Sequence, residues 1–206
     1  MLQNRVDPYG KIIKTSARGT LMGNRGLLHN DKKEIVRPFK LKAWITCLLE
    51  FKNRKRQVMT PNLYTELFFL DEATSFAAGH RPCFECRRED FKRFKTFWLI
   101  GNPEYGFTDK TSIQEIDAIL HEERIDKDFS KVLHEEPLQT LPNGVFILVD
   151  DKPFLLRDGL MFEWLAFGYE KGVALPAMEM VKVLTPKSVV NTFRAGYQLL
   201  NLPRTF

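Results

Sequence analysis

Long apolar runs are missing from this chain of 206 residues. No window reaches 18 uncharged apolar residues, so no membrane-spanning helix is expected. The opening MLQNRVDPYGKIIK has no apolar core of the kind a signal peptide needs, and a cytosolic protein is expected. Cysteine is scarce, three residues in all, which is too few for a disulfide scaffold. No internal repeat and no low-complexity tract occurs, which excludes solenoid and disordered-tail architectures. The glycine-rich stretch Ala17–Gly26 lacks the Gly-Lys-Ser/Thr ending of a P-loop, so its three glycines in eight positions predict a shaped loop able to offer N–H groups to an anion.

What is present is ordinary globular material with a heavy aromatic load: 44% apolar, 28% charged, 17 Phe, 5 Tyr and 3 Trp. The net charge of +5 hides a division. Residues 1–100 carry 20 Lys+Arg against 10 Asp+Glu, and residues 101–206 carry 11 against 16. A basic half joined to an acidic one implies that one face meets a polyanion.

Patterning predicts an α+β fold. Residues 43–59 read as a hairpin, with Ala43–Phe51 as first strand, a turn at 52–55 and a return strand over 56–59. Tyr64–Leu70 is a further strand. Asp71 is placed to cap a short helix ended by Gly79, and Phe91, Phe94 and Trp98 mark one face of a longer helix. Residues 112–136 predict two short helices, the second around Phe129, Val132 and Leu133. Val145–Val149, Phe154–Leu156, Leu160–Trp164 and Val181–Leu184 are strand-sized, and Thr185-Pro186 predicts the start of a closing helix with Pro at its first position.

The chemistry gathers at cysteine. Cys83-Phe84-Glu85-Cys86 has the spacing that lets two thiolates grip one metal at a knuckle, and Cys47 is a third donor. The pair follows an expected short helix and Arg81-Pro82, a poor match to the strand-to-helix junction of a βαβ unit that thioredoxin-like redox chemistry needs. A tetrahedral site needs a fourth ligand, for which His29 is favoured and His80 is next. His121 and His134 stand among glutamates on expected helix surfaces.

Residues 66–87, ELFFLDEATSFAAGHRPCFECR, resemble the second half of an Ada-type zinc-binding module: an aromatic strand, a short helix with a closing glycine, then R-P-C-x-x-C-R. The resemblance implies that Cys83 and Cys86 ligate zinc. It reaches Cys47 by position only, since that residue stands alone where the family has C-x-x-x-C. It also implies two roles: a zinc thiolate that accepts a methyl group from a DNA phosphotriester, or a structural zinc clip. The whole chain is similar to a group of bacterial proteins that share the GNRGxLH and HRPCxEC layout.

Other chemistry competes. Pro82-Cys83-x-x-Cys86 also fits half of a zinc deaminase signature, but no His-x-Glu or Cys-x-Glu precedes it. Three cysteines alone would hold a zinc with an open position, with Glu50, Glu66 or Glu72 as candidate bases. Arg18, Arg25, Arg54, Arg56, Arg81 and Arg87 flank the cysteines in sequence and are the expected contacts for a phosphate-bearing ligand.

The expectation is a single compact α+β domain over residues 1–206. A basic, zinc-ribbon-like clip spans 17–100, a helical connector 101–139 and an acidic β-rich region with a closing helix 140–206. The expected function is a cytosolic zinc-binding protein that engages DNA, RNA or a phosphorylated small molecule, with zinc (from Cys47, Cys83, Cys86 and His29) chiefly structural. The alternatives are a zinc-dependent hydrolase or deaminase acting on a nucleobase or nucleotide, and an Ada-like methyl-accepting thiolate.

Overall fold

A computed structural model describes residues 1–54 and 57–199. Two sheets and four helices make a mixed α+β architecture. The first sheet is assembled from short strands: β1 (Gln3–Val6), β2 (Ile12–Lys14), β3 (Leu21–Asn24), β4 (Ile45–Cys47), β5 (Leu67–Phe69) and, after the helix α1 (Glu72–Ala77), β6 (Arg81–Pro82). Their order across the sheet is β2-β1-β5-β3-β4-β6. Two helices follow, α2 (Arg88–Gly101) and α3 (Ile113–Arg124). The second sheet then forms from β7 (His134–Pro137), β8 (Phe146–Val149), β9 (Lys152–Arg157), β10 (Leu160–Leu165), β11 (Gly168–Tyr169), β12 (Val173–Ala174) and β13 (Met180–Val183), ordered β11-β10-β9-β8-β13-β7 with β12 on β10. Helix α4 (Lys187–Arg194) is the last helix among the described residues.

The helices fill the space beside the second sheet. Phe76 of α1, Phe94 and Trp98 of α2, and Ile116 and Leu120 of α3 share one apolar cluster with Val145, Ile147, Leu156, Val183 and Phe193. Helix α1 has the expected cap: Asp71 Oδ1 accepts from Thr74 N at 2.8 Å, and Gly79 takes up φ +82° beyond its end. The same carboxylate accepts from Tyr169 Oη at 2.6 Å, and Trp164 Nε1 donates to Thr74 Oγ1 at 3.1 Å, so α1 is pinned to β10 and β11.

Four local expectations are corrected. Of the hairpin expected over 43–59, residues 55 and 56 lie outside the described residues; among the rest only Ile45–Cys47 is strand, paired antiparallel with β3 and parallel with β6. Lys52 and Asn53 do turn the chain, at φ +51° and +54°. The Gly-rich stretch contains strand β3, with Gly23 so close to its neighbours that a Cβ would lie 2.3 Å from Ile45 O. The helix foreseen near Phe129 is a turn, with Phe129 at φ +61° and 60% exposed, because Asp126 Oδ1 accepts from Asp128 N and Ser130 N and holds the chain out of helical geometry. Helix α4 begins one residue later than expected. Pro186 is its cap residue, while Thr185 Oγ1 accepts from Phe146 N and ties the helix start to β8.

Candidate metal centre

Parallel pairing brings the cysteines together. Ile45 and Thr46 of β4 register against Arg81 and Pro82 of β6, and Cys83 N donates to Thr46 O at 2.9 Å. The next residue on each strand is a cysteine, so Cys47 and Cys83 emerge side by side. The tight turn that leads into α2 returns Cys86 to the same place, with Arg87 N donating to Cys83 O at 3.1 Å. The three sulfurs lie within 4.8 Å of one another. Thiolates on a tetrahedral zinc stand roughly 3.8 Å apart, given Zn–S near 2.3 Å. The cluster therefore fits one ion with small adjustments.

The surrounding backbone favours thiolate. Glu85 N donates to Cys83 Sγ at 3.4 Å, the N–H···S contact of a metal knuckle. Hydrogen bonds from the Cys47 and Cys86 thiols pull Cys83 well below the usual thiol range. Cys47 is pushed far up, because its thiol donates to Cys83 and Cys86 and because it is buried. Three sulfurs this close cannot all ionise without a cation between them, so the donor set fits a thiophilic metal such as zinc.

A cavity of about 260 Å³ opens over the sulfurs. Cys47, Cys83, Cys86, Asn24, Tyr64 and Glu66 line it, with Arg54 and Glu85 in the same wall. Glu66 is buried and its Oε2 accepts from Met59 N at 2.8 Å. Of the three candidate bases, only Glu66 lines this cavity. Glu72 is buried in an ion pair with Arg87, and Glu50 is exposed.

Neither favoured histidine joins the cysteines. His29 Nε2 lies 3.3 Å from Thr60 O, which only accepts, so this nitrogen carries the proton. Nδ1 then accepts from Thr65 Oγ1 at 2.6 Å, and no lone pair is left for a metal. His80 is fully buried between Trp44 and Phe69, and its Nε2 accepts from Arg25 Nε at 3.1 Å. Burial, followed by the charge of Arg25, holds it neutral. Among the described residues no fourth His, Cys, Asp or Glu joins the group, and residues 55–56 and 200–206 contain none of these types.

The six arginines are dispersed. Arg81 makes a bidentate pair with Asp117, 2.7 Å at each contact, with both side chains buried. Arg87 is buried against Glu72 and Asp90. These two hold the fold and leave no face for a phosphate. Arg54 pairs with Glu85 at the surface beside the sulfur cavity, and Arg18 is exposed elsewhere. Arg25 is buried under Trp44, and Arg56 lies outside the described residues. No helix of the described residues is long and apolar enough to cross a membrane.

What sequence reasoning missed is a second polar cavity. It is built on Arg25, Trp44, Arg124 and Lys131, of which only Arg25 was singled out, and no spacing rule links residues so far apart in the chain. Compared with known proteins, the chain matches no family model, no curated protein and no solved structure.

Proposed function

We propose that Cys47, Cys83 and Cys86 hold zinc with one coordination position open to the cavity, and that the protein performs zinc-dependent hydrolysis or deamination on a small polar substrate of nucleobase or nucleotide type. The observation that carries this reading is the pairing of a three-sulfur group with a buried carboxylate, Glu66, in the wall of one cavity. A closed structural site uses four protein ligands, whereas a catalytic one keeps three and an open position. Zinc bound there would supply Lewis-acid polarisation to the group that enters the fourth position. Glu66 is placed to take and return a proton, Asn24 and Tyr64 offer hydrogen bonds that orient a ring, and Arg54 flanks the sulfurs with a positive charge. At about 260 Å³ the cavity falls just under the roughly 300–1,000 Å³ of drug-sized pockets, which suits a single base better than a larger ligand.

The test joins elemental analysis with zinc-edge absorption, followed by a hydrolysis and deamination screen on nucleobases, nucleosides and nucleotides. Three sulfurs with one light ligand, together with turnover lost in Glu66→Gln and zinc retained, is the expected result. A zinc with four protein ligands would refute the open site.

A second reading has one observation behind it. Phe84, at the tip of the knuckle, is 53% exposed with the Arg88 guanidinium 5.0 Å from its ring centroid. An aromatic platform beside a cation, on a basic half of the chain, suits stacking on a nucleic-acid base. Zinc would then serve as a clip between β4 and α2, in line with the Ada-type resemblance. Methyl transfer to Cys47 belongs to the same reading, and a single added methyl on that residue after exposure to methylated DNA would be its signature.

A further inference from the structure

The larger cavity, about 590 Å³, lies on the other side of the β3–β4 region and shares no lining residue with the sulfur cavity. Its polar floor is cationic. The guanidinium carbons of Arg25 and Arg124 lie 3.7 and 4.0 Å from the Trp44 ring centroid, and Lys131 lines the same space. Arg25 and Arg124 are almost completely buried. The hydrogen bonds they make reach only neutral acceptors. Arg25 donates to His80 Nε2 and to Gly10 O at 2.9 Å; Arg124 donates to Gly79 O at 2.8 Å and to Lys42 O, and contacts His121 Nδ1; Lys131 donates to Ala77 O. Gly79 is required here: a Cβ would sit 2.4 Å from Arg124 Cδ.

Among the described residues no carboxylate pairs with any of the three. The acid that acts on Arg25 and Lys131 is Asp7, at a distance, and Asp117 near Arg124 is already held by Arg81. Arg25 Nη2 and Arg124 Nε are buried with no hydrogen-bond partner among the described residues. Counted over the buried floor alone, three cations against one carboxylate leave two positive charges, together with donors that lack acceptors, and the exposed Lys11 and Arg37 line the same cavity. Buried guanidinium is costly in this state unless an anion completes the site. The strain appears in titration too: burial lowers Arg25 to about 9, and burial with the charge of Arg124 lowers Lys131 to about 7. The rim combines apolar Ile12, Ile35, Val36 and Phe129, of which Val36 and Phe129 are more than half exposed, with the exposed cations Lys11 and Arg37.

We propose that this cavity binds a small organic phosphate monoester, its dianionic group compensating Arg25, Arg124 and Lys131 and its organic part lying against the apolar side chains of the rim. A dianion answers two of the charges on the buried floor, while a monocarboxylate answers only one. Arginine's planar fork suits phosphate oxygens, and the cavity volume falls within the range of small-molecule sites. The inference does not depend on the metal reading, since no residue lines both cavities, and its failure leaves that reading where it stands.

The experiment is calorimetric titration of the full-length protein with phenyl phosphate, inorganic phosphate and benzoate, with Trp44 fluorescence as a parallel signal. Saturable binding of phenyl phosphate is expected, tighter than either comparison compound. Lys131→Met removes one charged donor and should weaken binding about tenfold or more. Val36→Trp fills the mouth from an exposed position, leaves the buried charges untouched and should weaken binding to a similar degree. The proposal is overturned by absence of saturable binding, by benzoate binding as tightly as phenyl phosphate, or by unchanged affinity in either folded variant.

Discussion

The two cavities meet back to back at consecutive residues. Asn24 and Ile45 line the sulfur side, while Arg25 and Trp44 line the cationic side. Side chains alternate across an extended chain, so a one-residue step is enough to change walls. The chemistry reverses with that step. Three thiols crowd together on one side and need a cation before they can all ionise. On the other, three cations converge with one distant carboxylate and need an anion. Both regions spend folding energy on an uncompensated cluster, and both are therefore read as sites. The buried pair Arg81–Asp117 is the internal control: it is equally buried but fully matched.

The comparison is broken most forcefully by taking the metal away. Chelation of the zinc-loaded protein should have the largest effect, bounded above by the roughly 10–16 kcal/mol that structural zinc contributes to small zinc peptides. It should be smaller here because β4 also pairs with β3 and β6 through backbone bonds. Hydrogen exchange should show lost protection at Ile45–Cys47 and across 81–88, with Leu155 and Phe162 in the second sheet unaffected. Uniform loss along the chain would mean that the sulfur side is no separate unit.

The matched and unmatched cations give the next contrast. Arg81→Ala strands Asp117 in the interior and should cost about 3–5 kcal/mol. Arg25→Met removes a charge that has no carboxylate partner and keeps apolar contact with Trp44. It should cost less than half as much, because relief of desolvation offsets the lost stacking and hydrogen bonds. Denaturant unfolding of both variants decides the matter. A larger loss for Arg25→Met would show that the cationic floor is structural and not frustrated.

How far these features were legible follows from distance along the chain. The α1 cap at Asp71, the apolar face Phe91–Phe94–Trp98 and the strand runs of the second sheet are local patterns, and they appear where periodicity and capping place them. Cys83 and Cys86 are a local spacing too, and Cys47 joins them in the folded chain. His29 was favoured because it precedes Cys47, but the Thr60 and Thr65 contacts that occupy its ring are made by a loop more than 30 residues on. The arginines divide for a similar reason: sequence shows a positive charge, and only the fold shows that Asp117 answers Arg81 and Glu72 answers Arg87. A turn does exist at Lys52 and Asn53, but residues 57–59 form no return strand, because β4 has two other partners, β3 and β6.

The smallest expected effect is a pH dependence, and it carries the sharpest sign. Burial, then Arg124 and Arg25, lower Lys131 to about 7 in the folded chain, against roughly 10.4 when unfolded. Between these values the unfolded chain binds the extra proton, so stability should rise with pH across that window. Below about 7 both states are protonated and the cost of the buried charge is fully present. The slope is bounded by about 1.4 kcal/mol per pH unit and should be lower, because Lys131 keeps some contact with water. Arg25, lowered to about 9, adds the same sign at the upper end. The measurement is the denaturant midpoint of the zinc-loaded protein and of Lys131→Met, from about pH 6.5 to 9.5, with metal present so that the thiols do not titrate in the same range. The wild-type midpoint should climb toward that of the variant as pH rises. Phenyl phosphate should erase the difference at low pH by supplying the missing negative charge. Parallel curves for the two proteins would mean that Lys131 keeps its proton at no cost, and the symmetry between a sulfur side short of cations and a cationic side short of anions would fail on the cationic side alone.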